Sequence, residues 1–341
     1  MARLNKRPTS RDVARLAGVS QTTVSLVLNN VPKGDISSET RERVQNAIVA
    51  LDYHPHAGAR SLSRRATRTI GVSIPDASNP HYLDIVAGVE DHLAPRGYAV
   101  SLMVTNYKAE RERQSLELLK QQRIDALIYE AQTELDVEYV SMREQGYVLV
   151  GLLEGLRRPP SNHERLLLEH LIGLGHRRLG YIYGVASMKH YSMRLDAVSA
   201  LHKSLGIPLR DEWVRICGPT VAEAYRATLD LVASCDARSR PTALVAVNDL
   251  LATGVLAALF HAGIPVPSAM SVAGFDNTPL APYMVPPLTS VDANSRTIGV
   301  CAAQLALSRL DGSQVQPLFE EAEPRLVPRE STGPAPSASR D

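Results

Sequence analysis

The segment SRDVARLAGVSQTTVSLVLNN, residues 10–30, contains two short helical patterns separated by GVS. The apolar positions that share one helix face are Val13, Leu16 and Ala17 in the first pattern and Val24, Val27 and Leu28 in the second. A glycine inside a helix costs about 1 kcal/mol relative to alanine, but glycine adopts left-handed dihedral angles without a steric penalty. We therefore predict that Gly18 forms the turn of a helix-turn-helix.

Capping residues support three helices in this region. Ser10 and Ser20 are predicted to cap the first two helices, and Ser37 a third one within SSETRERVQNAIVAL, residues 37–51. The third helix has apolar residues at i, i+3, i+4 and i+7, namely Val44, Ala47, Ile48 and Leu51. Three apolar faces of this size predict one small all-α domain over residues 1–54.

The second helix carries the residues that suggest a function. Opposite its apolar face it is predicted to present Gln21, Thr22, Ser25 and Leu26. In a helix-turn-helix the second helix enters the major groove of DNA, where glutamine can pair with adenine and leucine can contact a thymine methyl group. A solvent-facing leucine is also ordinary in itself. The predicted DNA-contacting residues of this domain are Ser10, Ser20, Gln21, Thr22, Ser25, Leu26 and Asn29.

The charge distribution agrees with a polyanionic partner for the N-terminal part. The whole chain has a net charge of only +1, but residues 1–68 contain 12 Lys and Arg against 5 Asp and Glu, a net charge of +7. The remaining residues carry a net charge of −6. A basic terminus can bind nucleic acid; it can equally serve only to keep the chain in solution.

A basic linker follows in YHPHAGARSLSRRATRTIG, residues 53–71. Pro55 can begin a short helix, which Gly58 makes marginal in isolation. Leu62 is the only large apolar residue among several arginines, and such side chains can wedge between base steps in the minor groove. The alternative is a basic linker with one incidental leucine. The candidate DNA-contacting residues here are His56, Arg60 and Leu62.

From residue 68 onward, short apolar runs alternate with amphipathic segments, which predicts parallel sheets covered by helices. The predicted strands are 69–74, 98–104, 125–129, 147–153, 179–183, 243–247 and 271–275. Ligands of such sheets bind beyond the carboxyl ends of the strands. The polar residues expected there are Asp76, Ser78, Asn79, His81, Tyr82, Asn248, Asp249, Asp276 and Asn277, to which Arg194 is added. Their chemistry suits a polyol, although Arg194 would also suit a carboxylate or phosphate, and Asp and Asn also cap loops.

Several of these segments resemble the LacI/GalR family of bacterial transcriptional regulators. The similar segments include residues 10–30, RTIGVSIPDASNPHY, LGHRRLGYIYG, PTALVAVNDLLATGVLAAL and VPSAMSVAGFDNTPLAPYMVPPLTSVD. The resemblance implies an N-terminal all-α helix-turn-helix headpiece and an α/β periplasmic-binding-protein-like core of two lobes with parallel sheets and three crossovers. It implies a homodimer on a pseudo-palindromic operator, with Leu62 as the intercalating leucine of a hinge helix. It also implies a sugar-like small-molecule effector, held at positions that match Arg194, Asn248 and Asp276.

The resemblance also sets the expected domain boundaries. They are a DNA-binding domain over 1–54, a hinge over 55–67 and an effector-binding core over 68–332. Residues 333–341 are small and polar, which predicts a disordered tail. The first lobe is expected at about 68–155 and 290–320, and the second at about 156–289 and 321–332. The tail shows no apolar heptads, which favours a dimer over a larger assembly.

Three residues and one segment depart from the family pattern. Leu26 stands where members commonly carry arginine, His56 where asparagine is common, and Leu153 where aspartate is usual. The segment 154–170 is shorter than usual by roughly ten residues, so one wall of the pocket is expected to be incomplete. The alternative function is therefore a cytoplasmic small-molecule-binding protein whose effector response is weak or lost.

Other classes of protein are not supported by the sequence. No GxGxxG, phosphate loop, HExxH or CxxC motif is found, so we expect neither an enzyme nor a cofactor or metal site. The three cysteines lack disulfide or metal spacing, which is typical of a reducing cytoplasm. We see no signal peptide and no run of 18 apolar residues, which argues against a membrane protein or a transport receptor.

Overall fold

The computed structural model describes residues 8–28, 36–53, 66–131, 135–154, 161–184, 189–236, 238–313 and 323–336. Contacts between Cα atoms divide the chain into two units, Met1–Thr67 and Arg68–Asp341. We call the first unit the head and the second the core unit. Asn29, His56, Arg60 and Leu62 lie outside the described residues.

The described residues of the head form three helices: α1 (Ser10–Ala17), α2 (Gln21–Leu28) and α3 (Ser38–Ala50). Their common core contains Val13, Ala14, Ala17, Val24, Val27, Val44 and Ala47. Leu16, predicted to belong to this core, is instead 56% exposed. The reason is that α1 turns the face centred on Ala17 towards α2 and α3, so Ala14 is buried in place of Leu16.

The turn between α1 and α2 confirms the prediction for Gly18. This residue has φ +65° and ψ 40°, and its N–H donates to the carbonyl of Ala14. The predicted caps Ser20 and Ser37 are also confirmed, since Ser20 Oγ accepts from Thr23 N at 3.1 Å and Ser37 Oγ from Thr40 N at 3.2 Å. The prediction that Ser10 caps α1 is wrong.

Thr9 is the N-cap of α1, one residue before the position predicted from the sequence. Its backbone is extended, its hydroxyl accepts from Asp12 N, and the Asp12 carboxylate accepts from Thr9 N at 2.9 Å. This reciprocal pair is a capping box, which requires an acidic or amide residue three positions after the cap. Only Thr9 has that spacing to Asp12, and Ser10 therefore becomes the first helical residue.

The first lobe of the core unit is a four-stranded parallel sheet in the order β2-β1-β3-β4. Its strands are β1 (Thr69–Ile74), β2 (Ala99–Val104), β3 (Ala126–Tyr129) and β4 (Val148–Gly151). The helices between them are α4 (Pro80–Leu93), α5 (Ala109–Lys120) and α6 (Asp136–Glu144).

The second lobe is a six-stranded sheet in the order β10-β9-β8-β7-β5-β6, parallel except for the edge strand β10. Its strands are β5 (Leu179–Tyr183), β6 (Val214–Ile216), β7 (Ala243–Ala246), β8 (Ser271–Asp276), β9 (Thr289–Asp292) and β10 (Arg325–Val327). Its helices are α7 (Ser161–Gly173), α8 (Lys189–Leu205), α9 (Val221–Ser234) and α10 (Asp249–His261). Among the residues described, no helix has both the length and the apolar character needed to cross a membrane.

The chain passes between the lobes more than once. After β9 it returns to the first lobe as α11 (Ser295–Asp311), which packs along α4, and it then supplies β10 to the second sheet. The two helices approach closely because of two glycines. A Cβ atom on Gly88 would lie 2.0 Å from the carbonyl oxygen of Arg296, and one on Gly299 would lie 2.0 Å from that of Ile85.

All seven strands expected from the sequence have counterparts, whereas β6, β9 and β10 were missed. The expected lobe boundary at residue 290 falls inside β9, all of which belongs to the second sheet. The expectation of a disordered tail from residue 333 is wrong for residues 333–336. Gly333 N donates to Ser271 Oγ at 3.1 Å, and Ala335 N donates to the carbonyl of Leu174 at 2.8 Å, so backbone hydrogen bonds hold this segment on the second lobe.

Candidate functional site

The outer face of α2 is polar at its N-terminal end. Gln21, Thr22 and Ser25 are exposed, as predicted, and the first turn of α2 contains no acidic residue. Gln21 Nε2 donates to Ser10 Oγ at 3.3 Å, which joins two predicted DNA-contacting residues from neighbouring helices. This face offers donors and acceptors with no negative charge, so it can approach a polyanion.

Leu26 differs from the prediction that it points away from the core. It is half-buried and packs against the apolar cluster of the head. The cause is that Leu26 lies at the edge of the buried face, where Val19, Leu28 and Ile48 extend the cluster. Only part of this side chain is therefore available for a contact with DNA.

On the first lobe, polar residues follow the carboxyl end of β1. The Asp76 carboxylate accepts from Ser78 N at 2.7 Å and from Ser78 Oγ at 2.9 Å. Asn79 caps α4, accepting from His81 N at 3.1 Å. Tyr82, predicted to belong to this polar group, is 4% exposed and lies in the hydrophobic core of the first lobe. The reason is that α4 directs Tyr82, Ile85 and Val89 along one buried face.

On the second lobe, Asn248 caps α10 and accepts from Leu251 N at 2.8 Å. Asp276 ends β8 with φ +98° and meets two side chains of the first lobe. Asn79 Nδ2 donates to Asp276 Oδ2 at 3.4 Å, and His81 Nδ1 is 3.6 Å from Asp276 Oδ1. His81 Nδ1 is also 2.7 Å from Ser295 Oγ. These contacts define the interlobe cleft, with Asp276 as its central acceptor.

Arg194 is held in place by the second lobe itself. Its Nε donates to Glu164 Oε1 at 2.5 Å, its Nη1 donates to the carbonyl of Val247 at 2.8 Å, and its guanidinium lies 4.3 Å from the Phe275 ring centroid. Burial alone would lower the pKa of Arg194, but the adjacent Glu164 carboxylate raises that pKa, so the side chain stays charged. Glu164 was missed because, in the sequence, it is one acidic residue in the first turn of an amphipathic helix.

Asp249 is a second acidic residue at this edge of the sheet, and it is one of the polar residues expected beyond the predicted strands. It is fully buried and accepts from Ser290 Oγ at 2.6 Å and from Thr278 N at 2.7 Å, so it links the start of α10 to β9 and to the turn after β8. Burial, and then the nearby Asp276 carboxylate, raise the pKa of Asp249 to about 7. The expectation rested on its place directly after a predicted strand and beside Asn248.

A helix-turn-helix head followed by a two-lobed α/β unit with a polar cleft is the architecture of a ligand-responsive DNA-binding regulator. Residues 9–56 match the model of bacterial regulatory proteins of the lacI family, and residues 168–332 match a periplasmic binding protein-like domain. This chain belongs to the LacI family of bacterial transcriptional regulators, which confirms the resemblance and the fold class predicted from the sequence.

Similar proteins cover nearly the whole chain. It is 31% identical over 333 residues to the transcriptional repressor PurR of Aliivibrio fischeri strain MJ11, covering 95% of this chain and 98% of PurR. It is 34% identical over 332 residues to the transcriptional regulator GalR of Escherichia coli K12, covering 95% of each. These relatives are transcriptional regulators rather than enzymes.

Solved structures of regulators are similar to the whole fold. The lac repressor dimer bound to operator and the anti-inducer ONPF matches with a TM-score of 0.81 at 25% identity, covering 96% of this chain and 100% of that one. The complex of the regulator CelR with cellobiose matches with a TM-score of 0.68 at 27% identity, covering 95% and 100%. The protein is therefore a DNA-binding transcriptional regulator.

Proposed function

We propose that this protein is a repressor whose homodimer binds a pseudo-palindromic operator under the control of a sugar-like effector. The exposed polar face of α2 carries this proposal, because the second helix of a helix-turn-helix reads base edges in the major groove. Gln21, held by Ser10, is oriented before DNA is bound. Thr22, Ser25 and the free part of Leu26 extend the same face.

The hinge contacts remain predictions, since they lie outside the described residues. His56 and Arg60 would contact phosphates, and Leu62 would enter the minor groove between base steps. Asn29, the next residue after Leu28 in the sequence, would add a further polar contact. Such contacts are possible only when two heads lie at the spacing of two half-sites.

Exposed apolar side chains on the second lobe support a homodimer. Phe260 on α10 is 80% exposed, and Tyr283 and Val285 in the segment after β8 are 82% and 90% exposed. Large apolar groups left in water favour burial against a partner. The similar lac repressor structure is a dimer on its operator, and a palindromic site requires two copies of the head.

Control by an effector is supported by the contacts across the cleft. Asn79 and His81 of the first lobe meet Asp276 of the second, and a hydroxyl group that donates to Asp276 would replace them. Asp76, Ser78, Asn248 and Arg194 would provide the remaining contacts. The ligand would act by binding one separation of the lobes more tightly than the other. A regulator with a similar fold binds the disaccharide cellobiose.

Two further parts of the proposal concern enzymatic activity and cellular location. We infer that the protein is not an enzyme, because its cleft residues serve as caps and hydrogen-bonding groups and its relatives are regulators. We also propose that it acts in the cytoplasm, where bacterial DNA is found.

Selection of bound sites from random duplex DNA tests the proposal. We expect a motif of two related half-sites, a dimeric complex, and release of DNA by one class of small molecule. Leu62→Ala should weaken operator binding far more than binding to scrambled DNA, whereas the control Leu153→Ala, at an exposed turn of the first lobe, should change neither.

A monomeric protein, or equal binding to all duplexes, would refute the proposal. DNA binding that no metabolite changes would instead support the alternative of a lost effector response.

A further inference from the structure

A cluster with two unpartnered buried polar atoms lies at the carboxyl edge of the second-lobe sheet. Its members are Glu164 on α7, Tyr183 at the end of β5 and Arg194 on α8. Glu164 and Tyr183 are both fully buried. Neither Glu164 Oε2 nor Tyr183 Oη has a hydrogen-bond partner in the part of the chain that the structure describes. An unmade hydrogen bond of this kind costs about 1–3 kcal/mol, and more for a charged group.

This cluster borders the interlobe cleft. The guanidinium of Arg194 lies on Phe275 and bonds the carbonyl of Val247, and the next residues along the chain are Asp276 and Asn248. Asp276 is the residue that the first lobe contacts through Asn79 and His81. The Arg194 side chain is still 19% exposed, so the cluster reaches solvent on this side.

The charges of the cluster favour a ligand that donates hydrogen bonds. The positive charge of Arg194 is already paired with Glu164 through Nε, and Nη1 is used by a backbone carbonyl. Beyond that pair, the cleft contains the carboxylate of Asp276 and, after β1 of the first lobe, that of Asp76. A phosphate or carboxylate ligand would face these groups with little positive charge left to offset repulsion, whereas an ammonium group would form charge-assisted hydrogen bonds.

We propose that Glu164 determines effector specificity, with its Oε2 accepting a hydrogen bond from an ammonium group of an amine-bearing polyol such as an amino sugar. Tyr183 Oη is the second partner of the same group, accepting from it. This inference rests on the proposed effector role of the cleft. It narrows the ligand from any polyol to one that carries a protonated amine, and it excludes anionic sugars.

Calorimetric titration of the full-length protein with matched ligands tests the inference, in a buffer free of amines. The pairs are glucosamine with glucose and galactosamine with galactose, and glucuronate serves as the anionic probe. We expect at least one amino sugar to bind about tenfold more tightly than its hydroxyl counterpart, equivalent to about 1.4 kcal/mol. Glucuronate should bind more weakly than either neutral sugar.

Three variants separate a specificity role from a structural one. Glu164→Gln should bind an amino sugar and its hydroxyl counterpart with nearly equal affinity, so that the ratio of the two affinities is close to one. Glu169→Gln, on the same helix at a 54% exposed carboxylate paired with Arg165, should leave that ratio unchanged. If Glu164→Gln does not fold, Tyr183→Phe keeps the aromatic ring, removes only Oη, and should weaken amino sugar binding several-fold.

Three results would overturn the inference: tighter binding of glucuronate, no binding of either amino sugar at millimolar concentration, or an amine preference that survives in Glu164→Gln. DNA binding measured without ligand distinguishes this failure from failure of the proposed function. A protein that selects an operator but rejects amines refutes the ligand class alone, and a protein that selects no operator refutes the regulatory proposal.

Discussion

Replacing Gly18 with alanine should destabilise the head by about 1 kcal/mol. Gly18 has φ +65°, in the left-handed region, and a Cβ atom there would meet no other atom within 4 Å. The cost therefore comes from the backbone alone, about 1–2 kcal/mol for an L-residue with a side chain. The lower entropy of the unfolded alanine chain offsets about 0.4–1 kcal/mol of it.

Hydrogen exchange of the full-length protein, followed by mass spectrometry, measures this effect within the head. A loss of about 1 kcal/mol increases the open population about fivefold, so the amides of α1 and α2 should exchange about fivefold faster. Exchange in the core unit should not change. Gly18→Asn should fall between alanine and the wild type, because asparagine tolerates left-handed dihedral angles.

Gly173→Ala is the matched control for this experiment. Gly173 ends α7 and has no left-handed dihedral angle, and a Cβ atom added to it would likewise meet no other atom within 4 Å. Alanine should stabilise this helix end by up to about 1 kcal/mol and leave the head unchanged. If Gly18→Ala slowed exchange in α1 and α2, the assignment of Gly18 to a left-handed turn would be refuted.

Two further predictions concern base recognition and pH. Leu26→Arg should move the selected half-site towards guanine at one base pair, because arginine pairs with guanine in the major groove; an unchanged selected motif would contradict the placement of α2. Asp249→Asn should change how stability depends on pH, since the folded pKa of Asp249 is raised to about 7. The wild type should lose stability as pH rises from about 4 to about 7, because the unfolded carboxyl ionises first. In thermal unfolding, the stability of Asp249→Asn relative to the wild type should increase as pH rises across that range. A difference in stability that does not change with pH would rule out a buried titration at this site.

Local patterns in the sequence predicted much of the fold. The Gly18 turn, the caps Ser20 and Ser37, and seven strands depend on short-range rules of backbone geometry and apolar spacing. The missed strands β6, β9 and β10 contain three or four residues each and, unlike the equally short β3, β4 and β7, include charged or polar residues that interrupt the apolar run. Such short strands form because the sheet offers hydrogen bonds to them, which is a tertiary effect that local sequence does not encode.

The site was predicted less completely because side-chain partners come from distant segments. Asp76, Asn79, Asn248 and Asp276 follow strands, and this position predicts the carboxyl edge of a sheet. The pairing of Arg194 with Glu164 joins two helices, and its identification requires the structure. Tyr82 was predicted to be a site residue because it lies at the polar start of α4. It is only one residue beyond His81, but that step along the helix places it on the buried face.

The order of the head and the two lobes along the chain limits how new regulators can be assembled from this protein. The head ends at Thr67 and is one uninterrupted stretch, whereas α11 and β10 interleave the lobes. A single gene fusion at residue 67 could therefore give a different recognition module to the same sensor. Exchanging one lobe would require several simultaneous junctions, so sensors of this architecture are expected to be inherited and recombined as whole units.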